Sequence, residues 1–154
     1  VGEVFDAQGF WRPPAQGTQR LWSPTPVAVP EVTRQRGDWN FEDAILLSLG
    51  FVWRDRFEAV PKGTRGYRSL VAQVRERGAG VMWHHRVTRN PSLYAHKMPK
   101  GVTAQPYTAL VSVGDLLGDT GLAAVGQSRH LGGGLLVPAD LPIELAQNVL
   151  GRRP

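Results

Sequence analysis

Cysteine is absent from the 154 residues, which excludes a disulfide framework and cysteine-ligated zinc and makes a reducing cytoplasm the expected compartment. No apolar run approaches the roughly 18 residues that span a bilayer. The first ten residues, Val1 to Phe10, lack the basic start and apolar centre of a signal peptide. No membrane partner is therefore expected. Lysine is scarce too: of eighteen Lys and Arg residues, only Lys62, Lys97 and Lys100 are lysine. Thirteen carboxylates leave a formal charge of +5, which predicts a polyanionic partner, nucleic acid first. Arginine offers a planar fork for phosphate and a face that stacks on bases, so RNA or single strands are favoured.

The length suits one main domain. Residues 1–21, rich in Gly, Pro and Gln with Phe10, Trp11 and Leu21 as anchors, read as an extended N-terminal arm; residues 22–154 read as the folded domain. Trp22 to Pro30 is proline-punctuated, which suits an edge strand. Asp38 is placed to cap a helix whose apolar residues Phe41, Ala44, Ile45, Leu46 and Leu49 repeat at helical spacing until Gly50 stops it. Phe51 to Val60 then reads as a strand. Thr64 is placed to cap a second helix, with Tyr67, Leu70, Val71 and Val74 on its apolar stripe and Gly78 as its stop. Val81–Val87, Tyr107–Val113 and Leu135–Val137 read as strands, Thr88–Thr103 as a polar loop, Asp115–Ala124 as a short helix or turn, and Ile143–Leu150 as a packing helix. This order predicts an α+β fold, helices against one face of an antiparallel sheet, with a ferredoxin-like arrangement the best single choice.

The densest group of chemically able residues is Gly126-Gln127-Ser128-Arg129-His130-Leu131-Gly132-Gly133-Gly134. Its four glycines, Gly126, Gly132, Gly133 and Gly134, let backbone approach a ligand and turn amides toward an anion. A glycine cluster alone is most often a mobile turn. Arginine and histidine inside it, in a basic chain, favour a site. No Lys followed by Ser or Thr comes after the last glycine, so a triphosphate cradle is excluded. The four histidines are His84, His85, His96 and His130. His84 and His85 alternate on a strand, so one should face the core. No pair is joined by a carboxylate at ligand spacing, so neither a metal site nor a cofactor is expected. Arg65, Arg68, Arg75 and Arg77 lie off the apolar stripe of the second helix, as a solvated face or a phosphate track. Trp11, Trp39, Trp53 and Trp83 read as core or docking residues before base-stacking ones.

A loop of glycine, Arg129-His130, spaced glycines and an apolar strand ending at Pro138 resembles the C-terminal glycine-rich loop of the RAMP superfamily, the RNA-binding proteins of CRISPR effector complexes. Trp22-Ser23-Pro24-Thr25-Pro26-Val27 is similar to the opening of the repeat-processing domain in fused backbone-and-endoribonuclease subunits of type I systems. The match departs at Ser128, where glycine is usual, and at Gly133, where a larger residue is usual. The resemblance implies a ferredoxin-like (RRM-like) domain that binds the repeat hairpin of precursor crRNA and cleaves it without metal, by attack of a ribose 2′-hydroxyl on its own phosphate. It also implies other CRISPR effector subunits as partners, including a backbone-capping domain of the same original chain.

Histidine suits the proton transfers of that reaction, and arginine or lysine the charge on the phosphorane. His130 leads the catalytic candidates, followed by His96 and His85. Arg129, Gly126, Gly132, Gly133, Gly134, Lys97, Lys100, Arg65, Arg68, Arg75 and Arg86 are the expected RNA-binding residues. Two alternatives stay open: a non-catalytic RNA-binding subunit of a CRISPR effector complex, and a basic structural RNA-associated protein without an active site.

Overall fold

The computed structural model describes residues 4, 6–33, 35, 37–94 and 104–150. A short helix, α1 (Gln8–Trp11), precedes β1 (Thr18–Thr25); two longer helices follow, α2 (Phe41–Val52) and α3 (Thr64–Glu76). Then come β2 (Ala79–Arg86), β3 (Tyr107–Val113), β4 (Leu135–Pro142) and α4 (Ile143–Leu150). The four strands form one antiparallel sheet in the order β2-β3-β1-β4. This is the α+β, ferredoxin-like order: β1, a helical crossover, then β2, with β3 inserted between them. The crossover from β3 to β4 carries no α-helix; turns and the glycine-rich segment fill it. No helix among the described residues is long and apolar enough to cross a membrane.

Alternation along the strands divides the sheet into two faces. One bears Trp22, Val81, Ala109, Val111, Val113 and Leu136 and packs on Ile45, Leu46 and Leu49 of α2 and Leu70, Val71 and Val74 of α3. The other carries Leu21, Met82 and Leu110 against Ala146 of α4. Helices therefore lie on both faces, where the sequence pattern had suggested one, because the apolar stripe of α4 needs its own surface to bury.

Several local expectations differ from the structure. Gly50 does not stop α2; it lies inside the helix, where a methyl group would sit 2.8 Å from Leu70 Cγ, so its smallness serves close packing of α3. Phe51–Val60 is accordingly no strand: it completes α2, makes a 3-10 turn at Arg54–Arg56 and continues as loop, with the Phe51 ring against Tyr67 at 5.8 Å. The cap of α2 is Asn40 rather than Asp38, in a reciprocal capping box with Asp43. Gly63 occupies the cap position of α3, and Thr64 is its first residue.

β1 starts at Thr18, so Thr18–Leu21, read as the end of the arm, are the first half of a strand. That strand is internal rather than an edge. It pairs with β4 from Thr18↔Pro142 to Thr25↔Leu135, whereas its described pairing with β3 is Trp22↔Val111. Proline is tolerated because most of the strand ladders on one side. Its start is pinned by buried Arg20, whose fork donates to both Asp140 oxygens at 2.8 and 2.9 Å. Arg20 also donates to the carbonyls of Arg12 and Asp119, tying the arm and the β3–β4 crossover to the sheet.

Candidate functional site

The glycine-rich segment is strapped to the chain that leaves β1. The Gly134 amide donates to Val27 O at 2.9 Å, Gln127 to Val29 O at 2.8 Å, and Val125 to Gly134 O at 2.9 Å. Gln127 Nε2 adds a bond to Pro30 O. These contacts require small residues: a Cβ at Gly126 would meet Val29 O at 2.6 Å, and one at Gly134, whose φ is +70°, would run into the Val125 carbonyl. Within the loop, Arg129–Leu131 form a 3-10 turn, and the Leu131 and Gly133 amides both donate to Ser128 O. The amides of Gln127, Arg129, Leu131, Gly133 and Gly134 are thus bonded inside the protein. They do not form the anion cradle expected from the glycines, because the loop uses them to hold its own shape.

Arg129 and His130 point to different surroundings. Arg129 turns inward: its Nη1 donates to Glu31 Oε1 at 2.8 Å and to Gly126 O at 3.0 Å. The other Glu31 oxygen accepts from Ser48 Oγ at 2.6 Å, so α2 joins the network. Burial raises the Glu31 carboxyl above its ordinary 4.5, against the opposing pull of Ser48 and Arg129. The same burial, with the nearby Glu31 charge, raises wholly buried Tyr107. Arg129 is therefore a clamp on the loop rather than an extended phosphate ligand. His130 is exposed on the clamped turn.

Beside this turn lies an open groove of about 230 Å³ lined by Pro26, Leu93, Tyr94, Ser128, Leu131, Gly132 and Gly133. Ser128 Oγ donates to Tyr94 O at 3.3 Å, which links the loop to the 3-10 turn Pro91–Tyr94. His96, Lys97 and Lys100 lie outside the described residues.

The remaining candidates are dispersed. His85 is exposed on edge strand β2, whereas His130 stands on the loop before the opposite edge, β4. His84 faces the helical layer, its ring 5.1 Å from Phe41, and the Arg86 guanidinium lies 5.4 Å from the centre of the same Phe41 ring. Arg65, Arg68 and Arg75 share one exposed stripe of α3. Arg75 is paired with Asp43 at 2.6 Å, and Arg68 lines a pocket of about 170 Å³ with Asp38, Trp39, Asp43, Val71 and Arg75. No group of three or more His, Asp or Glu residues that could hold a metal occurs among the described residues.

Trp53 is buried, but Trp11 and Trp83 are 61% and 47% exposed. A regular strand starting from core-facing Val81 would turn Trp83 inward. The register shift between Val81 and Trp83 reverses the alternation, sending Trp83 outward and His84 inward. Glu31, Ser48 and Tyr94, which sequence reasoning did not single out, build the loop's support; none sits in a motif. Comparison with family models, curated proteins and solved structures finds no match to this chain.

Proposed function

We propose that this chain is an RNA-binding endoribonuclease domain of the RAMP type, which holds the repeat hairpin of CRISPR precursor RNA and cleaves it without a metal ion. Three observations support the reading: the excess of arginine, the ferredoxin-like strand order, and the glycine-rich loop before β4. A fourth observation carries it: His130 is solvent-exposed on a turn that Arg129 and Glu31 hold in place beside an open groove.

In the reaction, the ribose 2′-oxygen loses its proton and attacks the adjacent phosphorus, the bond to the 5′-oxygen breaks, and the departing oxygen takes up a proton. The products are a 2′,3′-cyclic phosphate and a 5′-hydroxyl. His130 is assigned one of the two proton transfers, a role that histidine fills near neutral pH. The lysines of the 88–103 segment, Lys97 and Lys100, are assigned the phosphorane charge, and the α3 arginines Arg65 and Arg68 a phosphate track. Partner subunits of an effector complex, including a backbone-capping domain, belong to the same proposal.

A second reading, a non-catalytic RNA-binding subunit, is favoured by the inward engagement of Arg129, which leaves His130 without a cationic neighbour on the turn. Incubation with a labelled repeat hairpin in EDTA separates the two. A defined product with a cyclic phosphate end is expected; intact RNA of shifted mobility would select the binding reading. Affinity should also fall steeply with salt as phosphate contacts release counterions.

A further inference from the structure

The sheet has a face that the hairpin site leaves unused. Leu21, Met82 and Leu110 point away from α2 and α3 and pack on Ala146 of α4. Trp83 pairs with Leu110, and His85 with Thr108; residues directly opposite one another share a face, so all four lie on the α4 side. Ser23 and its partner Val137 join them, two residues along from Leu21 and Ala139. Ala146 of α4 packs over the Leu21, Met82 and Leu110 portion. Beyond it Trp83 is 47% exposed and His85 is exposed.

Among the described residues, this half of the face carries a specific chemistry. Indole and imidazole stand two residues apart on one strand, roughly 7 Å, and offer two flat rings to successive bases. The half-buried hydroxyls of Ser23 and Thr108 lie alongside, suited to base edges or ribose hydroxyls. None of Trp83, His85, Thr108, Ser23 and Val137 is a carboxylate, and the chain carries +5, so a phosphate backbone is not repelled. The bulge before Trp83 interrupts the ladder in order to aim that side chain outward.

We infer that this open half of the sheet binds unpaired nucleotides flanking the repeat hairpin, with Trp83 and His85 as stacking residues. The inference rests on the RNA-binding reading above and extends it to single-stranded RNA; it is independent of cleavage.

Fluorescence anisotropy with a labelled repeat hairpin, blunt or carrying a short single-stranded tail, tests it. Wild type should bind the tailed RNA more tightly than the blunt one. Trp83→Ala should weaken the tailed complex roughly 5- to 150-fold, the range for loss of one stacked base, and leave the blunt complex unchanged. Trp83→Phe should recover part of the loss, which separates stacking from misfolding. If the tail adds nothing, or Trp83→Ala binds it like wild type while the hairpin still binds, this inference fails alone. If wild type binds neither RNA, the RNA-binding reading fails with it. Self-association abolished by Trp83→Ala would assign the face to a second copy and overturn the inference.

Discussion

Arg129 donates to Glu31 across 98 residues of chain at 2.8 Å, and this pair anchors the glycine-rich turn to the segment that leaves β1. Both side chains are mostly buried, 26% and 19% exposed, so removing one partner leaves the other in a poorly solvated site.

Arg129→Ala should therefore lower stability by about 1–3 kcal/mol, between the range for exposed pairs and that for buried ones. Adding Glu31→Gln should recover a substantial part of the loss. Urea unfolding of the two single variants and the double variant measures this; penalties that add within about 0.5 kcal/mol would show that the two groups are not coupled.

Glu31 also predicts a pH dependence. Burial raises its carboxyl in the folded protein above the ordinary 4.5, so between these two values the native state binds more protons than the unfolded one. Its contribution to stability then decreases as pH rises through that window, and the cost of the buried charge is fully present above it. The stability of wild type relative to Glu31→Gln should thus decline from pH 4.5 upward and level off. A relative stability that rises with pH over this range would mean that the pair, and not burial, dominates the carboxyl.

The glycines of the loop should not behave alike. Gly134 has φ +70° and no room for a Cβ, whereas Gly132 has φ +87° and open space around it. Alanine at Gly132 should cost about 1 kcal/mol, the strain of the left-handed backbone. Alanine at Gly134 should cost more than about 2 kcal/mol, because strain and collision with the Val125 carbonyl combine. Equal losses in denaturant unfolding would contradict the close approach of the Gly134 backbone to the Val125 carbonyl.

Much of this architecture is readable in the sequence where local chemistry and tertiary packing agree. Tyr107–Val113 is a strand throughout, α3 ends before Gly78, and α4 spans Ile143–Leu150, all as their patterns indicate. Gly50 misleads because a glycine chosen for close helix packing looks like one that ends a helix. The outward turn of Trp83 is not legible, because a one-residue bulge inverts alternation without any marker in composition. Arg129 was recognisable as a residue of the loop, but its partner Glu31 is remote in sequence and sits in no motif, so nothing local distinguishes a clamp from a phosphate ligand. His130 lies exposed on the turn; the separation of His85 on the other edge strand follows only from the strand order.

Single-turnover cleavage of a saturating repeat hairpin in EDTA by wild type and by His130→Ala is the most direct measurement. Loss of a general acid or base should slow the chemical step by roughly 100- to 10,000-fold, with the dissociation constant and the thermal midpoint unchanged. A variant that cleaves at the wild-type rate would contradict the assignment of His130 and of the turn that presents it.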